Sequence, residues 1–311
     1  MISKMVRNAA MIFLASFALS SAARATCSNA SLSGSYGFLH GGTAGDGTPI
    51  AGLSQVTFDP ATGTYSGVDT QSHDGVITTS ALTATYSIAS NCLVSATVTL
   101  GGRTQNISLV VTSTGFFSLV QRTGVTTEGV GVAQGSPTCT NAGVAGGLAF
   151  EVTGTFLSGA PATGPVAFIG ELKLAANSSG EGEITGFIAG SEDGTILKFA
   201  QGSVTGSYTI APDCTGTATI TPKDGPEMNF SLVVVNGGKQ ILIIETDANT
   251  VVSGTLSAAP SSNPDSESSR RTTTSSDLEP SALGAADEPQ GARPGIPVPE
   301  QVWHPVFATI P

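Results

Sequence analysis

Four blocks of sequence occur twice in this chain, in the same order and at similar spacing. CSNA at Cys27 is answered by CTNA at Cys139, and SHDG at Ser72–Gly75 by SEDG at Ser191–Gly194. TATYSIASNC, ending at Cys92, is answered by TGSYTIAPDC, ending at Cys214, and NISLVV from Asn106 by NFSLVV from Asn229. Whatever this chain folds into must therefore be a unit that two copies can adopt side by side. The repeats place module one over residues 26–135 and module two over residues 136–258, with the junction at SPTCT from Ser136.

Inside each module the apolar period is two. Leu82, Ala84, Tyr86 and Ile88 alternate with Thr83, Thr85 and Ser87, and Val204, Gly206, Tyr208 and Ile210 alternate with Thr205, Ser207 and Thr209. That pattern marks strands with one buried face. Turn signals such as Asp59-Pro60, Asp74-Gly75, Asp193-Gly194 and Asn236-Gly237-Gly238 separate eight or nine such runs per module. Composition excludes the helical alternatives: the two modules hold 36 Gly against 22 charged side chains, too many helix breakers and too few solvated residues for helix faces. Gly34, Gly52, Gly154, Gly170 and Gly206 share the inward phase of their strands, where sharp coiling of a small sheet needs them. The predicted fold is all-β, two tandem antiparallel meander β-barrels, with a pair of β-sandwiches as the alternative.

The flanks differ from the modules. Lys4 and Arg7 precede the apolar run AAMIFLASFAL, and Ala23-Arg24-Ala25 supplies small residues at A-x-A spacing, so residues 1–25 read as a secretory signal peptide cleaved near Ala25. No later stretch is long and apolar enough to span a bilayer as a helix. Residues 259–311 are rich in Ser, Pro and Glu, lack apolar periodicity and are expected to be disordered. Export admits disulfides, and of the three pairings of four cysteines, Cys27–Cys92 with Cys139–Cys214 keeps each bridge within one module at an equivalent position.

LSQVTFDPATGTYSG from Leu53, GSYTIAPDCTGTATI and FSLVVVNGGKQILIIETDANTVVSGTL resemble an uncharacterised exported all-β repeat family of environmental bacteria with a G-x-Y-x-[IV]-x-x-D-C-T-G-T strand. The resemblance spans roughly residues 26–257; module one departs from it at Asn91-Cys92-Leu93, and module two lacks the Tyr of the opening. It implies an exported β-module and carries no activity.

The chemistry-bearing residues are sparse. The formal charge of −11 has no basic cluster, which argues against a nucleic-acid partner. The modules contain only His40 and His73, and Ser72-His73-Asp74 reads as a turn, because neighbours in a turn cannot face one another as a catalytic triad requires. The absence of a C-x-x-C pair and the shortage of His leave no metal site and no cofactor motif. Glu151, Glu171, Glu181 and Glu183 fall on the outward phase of their strands. Two strands are apolar on both faces. Phe116, Phe117 and Leu119 in one, with Ile241, Ile243 and Glu245 in the other, are the candidate ligand or partner surface; packing of one module on the other is the competing explanation. The expected function is a non-enzymatic binding, surface or structural one, with a small apolar molecule, a glycan or a surface partner. The alternative is a barrel enzyme of cyclase or lyase type working in a dry cavity, for which Tyr36, Tyr86, Tyr208 or Glu245 would supply the polar group.

Overall fold

A computed structural model describes residues 26–121, 125–136, 139–198, 204–223 and 225–259; the expected signal peptide and tail lie outside them. The first module forms eight strands, β1 (Gly34–Ala44), β2 (Pro49–Asp59), β3 (Thr64–His73), β4 (Val76–Ile88), β5 (Leu93–Leu100), β6 (Arg103–Val111), β7 (Gly115–Gln121) and β8 (Val125–Ala133). Each pairs antiparallel with the next, and β8 returns to β1 through pairs from Tyr36–Ala133 to Ala44–Val125, closing an up-and-down barrel. The second module forms β9 (Gly146–Phe156), β10 (Gly164–Ala176), β11 (Gly182–Glu192), β12 (Thr195–Lys198), β13 (Val204–Ile210), β14 (Thr215–Pro222), β15 (Met228–Val235), β16 (Gln240–Glu245) and β17 (Thr250–Ala258). Here two strands share one edge of β11: Gly182–Gly186 pairs with β13 and Ala189–Glu192 with β12, while the other edge of β11 pairs with β10 along Gly182–Glu192. With β10 bound to both β9 and β11, and β17 bound to β9, the second barrel also closes over eight strands. Closure removes the free sheet edges that a sandwich would leave.

The repeated blocks turn out to be the joints of the barrel. In each copy the Asn of the opening block caps the base: Asn29 Oδ1 accepts from the Ile88 amide at 3.0 Å, and Asn141 Oδ1 accepts from the Ile210 amide at 2.8 Å. The strand tyrosines complete the joint, Tyr86 donating to the carbonyls of Asn29 and Leu32 and Tyr208 to that of Asn141. Disulfides Cys27–Cys92 and Cys139–Cys214 tie the same turn to the same hairpin in both barrels. At the opposite end, Asp74-Gly75 and Asp193-Gly194 both take positive φ, which is why SHDG and SEDG recur: a two-residue hairpin of that twist needs residues that tolerate left-handed backbone.

One barrel lies against the other through the outer faces of their strands. Val233, Val235, Leu242, Ile244 and Val251 of the second barrel form a single apolar cluster with Ala51 and Leu53 of the first. β16 is thus apolar on both sides because it faces two cores: Ile241 and Ile243 point into its own barrel, Leu242 and Ile244 into the joint. Hydrogen bonds reinforce the contact, among them Asn249 N to the Gly75 carbonyl at 2.9 Å and Ser72 Oγ to the Thr250 carbonyl. No helix among the described residues is long and apolar enough to cross a membrane.

Candidate functional site

The two barrels share a plan and differ in what fills them. The second is packed solid, with a residual void of only about 20 Å³ walled by Leu, Ile and Phe side chains. The first encloses a cavity of about 790 Å³, open at the end where the β1–β2, β3–β4 and β5–β6 turns meet. Phe38, Phe58, Tyr65 and Phe116 line its floor and pack with Tyr36 and Tyr86 beneath, ring centroids lying 4.6–6.2 Å apart where they touch. Beneath them Leu32, fully buried, closes the base. Burial pushes the Tyr65 hydroxyl far above its ordinary pKa and raises that of Tyr36, so the floor stays uncharged.

Above the floor runs a belt of polar side chains. Asp69, 2% exposed, accepts two hydrogen bonds on one carboxylate oxygen: Ser54 Oγ at 2.5 Å and His40 Nε2 at 2.9 Å. Strand register makes this meeting unavoidable. Ser54 pairs directly with Asp69, and His40 lies opposite Gly52 one inward position along β2. Gly52 is a close-approach position; a Cβ there would run into the imidazole, so only glycine lets the ring lie across β2 toward β3. The other side of the ring stacks on Phe38 at 5.1 Å and 27°. Ser118, on β7, completes the belt. Its hydroxyl is buried and, among the described residues, has no hydrogen-bond partner. At the mouth, Asp46 and His73 are bridged by the Thr48 hydroxyl, at 2.7 and 3.1 Å, and the Thr48 bonds draw the Asp46 pKa below its ordinary value.

The repeat supplies an internal comparison. Counting from the shared opening block, His40 answers Val152; counting from SHDG and SEDG, Asp69 answers Ile188. Ser118 answers Ile243 in the paired two-sided strands, and by register Ser54 answers Gly170. Val152, Ile188 and Ile243 are all buried in the second core. Each hydrophilic member of the belt therefore stands where the same fold, in the same chain, packs an apolar residue or none.

The six residues expected to form a surface are not brought together. Phe116 walls the cavity of the first barrel, whereas Phe117 is 58% exposed on its outside, continuing a row with Val110 and Leu93. β7 is apolar on both faces without burying both, because no second sheet covers its outer side as β1 and β2 cover β16. The side chain of Leu119 lies outside the described residues. Ile241 and Ile243 are core residues of the second barrel, not a surface. Glu245 is buried at the end of that core, 3% exposed, and burial with the nearby Asp247 charge raises its pKa to about 8. Tyr86 and Tyr208 serve the joints at the barrel bases, and Tyr36 the floor. Glu151, Glu171, Glu181 and Glu183 are exposed as expected, and Ser72-His73-Asp74 enters a turn with the Ser72 hydroxyl aimed away from His73, at the second barrel. No sequence motif marks the His40–Asp69 pair. Its signal was phase: His40 is in step with Tyr36 and Phe38, and Asp69 with Tyr65.

No protein-family model matches this chain, and no curated protein matches it. Among solved structures, it is similar to a protein of unknown function of the DUF3598 family from Nostoc punctiforme, at 11% identity over 74% of this chain and 97% of that one, with a TM-score of 0.23.

Proposed function

We propose that this chain is an exported small-molecule-binding protein, with the first barrel as the binding chamber and the second as its packed support. The observation that carries the reading is the difference between the two copies: one interior is filled, the other holds a cavity of about 790 Å³ lined by an aromatic floor and a buried His40–Asp69–Ser54 network. That volume falls in the range of pockets for drug-sized ligands, and the aromatic floor is faced by polar side chains that include Gln71, Arg103, Gln105 and Thr127 beside the network. The ligand class that fits has a flat or aliphatic body for the floor and one polar group for the belt. Export is supported by the signal-like residues 1–25, by two disulfides and by the resemblance to an exported family.

The test is a thermal-shift and calorimetric screen of terpenoid and polycyclic ketones, phenols and fatty acids against the mature protein. A ligand at a hundred times its Kd stabilises the fold by about 2.7 kcal/mol, a rise in Tm of roughly 5–10 °C for a protein of this size. Val98→Trp, which fills the cavity from β5, is expected to abolish the shift. A screen in which no compound moves the wild type, or in which the Val98→Trp protein responds equally, overturns the reading.

A further inference from the structure

We infer that the outer face of β6 and β7, in the first barrel, docks on the outer face of β9 and β10 in the second barrel of another copy, so that this chain associates head to tail. The repeat carries the argument. Counting from Asn106 and Asn229, Val110 answers Val233; Val110 pairs with Phe117 as Val233 pairs with Leu242, so Phe117 answers Leu242. Val233 and Leu242 are buried in the joint between the barrels, whereas Val110 is 49% and Phe117 58% exposed. The same face of the same module is covered in one copy and bare in the other. It is also continuous with the existing joint: Leu93, Val110, Phe117, Val130 and Leu39 pair in one row across five strands, and Leu39 packs on the joint cluster.

The complementary face shows the same relation independently. Leu39 pairs with Leu53 as Glu151 pairs with Ile169, so Ile169 answers Leu53. Leu53 is buried in the joint, whereas Ile169 is 62% exposed, on a face it shares with the exposed Ala149 and Ala167. Each chain thus carries both halves of a second joint. Within one chain these halves cannot meet, because the barrels are already held together through β1–β2 and β15–β16. Another copy supplies each half with its complement. Stacked repeats leave such faces at both ends of the stack, and a contact between two different faces builds rings or filaments rather than closed pairs.

Differences between the two pairs of faces set the strength of the contact. In the joint within the chain, Gly37 lets Val233, Val235 and Leu242 approach β1; a Cβ there would run into all three. Ala149 answers Gly37, Thr112 answers Val235, and Glu151 answers Leu39. The added methyl, hydroxyl and carboxylate hold the second joint further apart and wetter than the first. It is therefore a reversible contact, driven by concentration, where the first is a permanent one. Because it uses outer faces, it leaves the interior of the chamber untouched.

The test is sedimentation equilibrium of the mature protein over a concentration series, on wild type, Phe117→Asp, Ile169→Asp and a mixture of the two variants. The wild-type average mass is expected to rise with concentration and to pass that of a dimer. Each variant alone is expected to associate about tenfold or more weakly, as loss of a central apolar anchor entails. Both changes are at exposed positions, so the denaturation midpoints should match wild type; Val110→Lys replaces Phe117→Asp if that variant's midpoint falls. Mixed, the variants are expected to form a dimer and nothing larger, because each keeps the face the other has lost. An Ile169→Asp protein that associates as well as wild type means that two Phe117 faces pair with each other, and overturns the inference. A wild-type mass fixed at the monomer up to millimolar concentration overturns it as well.

Discussion

Glu245 offers the sharpest energetic test of the second barrel. Among the described residues it is the only acidic side chain whose inward phase places it in that core, and burial, followed by the Asp247 charge, raises its pKa from 4.5 to about 8. The sign follows from proton counting. Below pH 4.5 the carboxyl is protonated in both folded and unfolded chains and folding carries no penalty. Between 4.5 and about 8 the unfolded chain ionises while the folded one keeps its proton, so stability falls as pH rises; above 8 the loss is complete. At about 1.4 kcal/mol per pH unit the whole interval amounts to at most about 5 kcal/mol, of which about 4 kcal/mol falls between pH 5 and 9. Glu245→Gln, which imitates the protonated acid, removes this loss. Urea denaturation followed by far-ultraviolet circular dichroism at pH 5 and 9, on wild type and variant, isolates the residue, because every other titrating group cancels in the difference. The variant is expected to gain about 4 kcal/mol on the wild type between the two pH values. Parallel pH dependence in the two proteins would refute the placement of Glu245 in the core.

Three further outcomes follow from the packing. Writing the second barrel's residues into the first, as His40→Val, Asp69→Ile and Ser118→Ile together, is expected to leave stability unchanged or raise it by about 1–4 kcal/mol, as when buried ionic groups give way to apolar ones, and to abolish ligand-induced thermal shifts; an unfolded triple variant would show the belt to be structural. Leu242→Ala opens the joint between the barrels and is expected to cost about 2–5 kcal/mol in chemical denaturation, although neither barrel's interior is touched. Replacing Cys27 and Cys92 by Ser releases a loop of 65 residues and is expected to cost about 4 kcal/mol, with a midpoint for the double variant that reducing agent shifts less than that of wild type.

The architecture was legible because it is written locally. Alternation along Leu82–Ile88 and Val204–Ile210 assigns inside and outside residue by residue, and the paired blocks carry the joints, as Asn29 with Tyr86 and Asn141 with Tyr208 now show. Closure into barrels depends on β8 finding β1 and β17 finding β9, which the inward glycines anticipated. The site was less legible, for a physical reason. His40 and Asp69 are 29 positions apart and meet only because three strands align at one register. Two-sided apolar patterning marks Ile241 and Ile243 instead, whose hydrophobicity is accounted for by the core they fill, with the joint behind them. Comparing the inward residues of the two modules position by position would have isolated His40, Asp69 and Ser118 from the sequence alone, since each is an apolar residue in the other copy.

The contact of Asn249 with Gly75 has a kinetic consequence. It joins the turn before β17 to the β3–β4 hairpin, one lip of the chamber's mouth, and the neighbouring Ser72–Thr250 bond fastens the same lip. The β1–β2 turn is tied to the fastened lip through Thr48 and His73 and through the Asp74 amide on the Pro49 carbonyl, whereas the β5–β6 turn has no such tether among the described residues. A ligand of the proposed kind would leave past a rim that is fastened on one side, and the free side would set its residence time. The neighbouring barrel thus acts as the fixed jamb of a doorway: loosening it would speed exchange of whatever the chamber holds without altering a single wall inside.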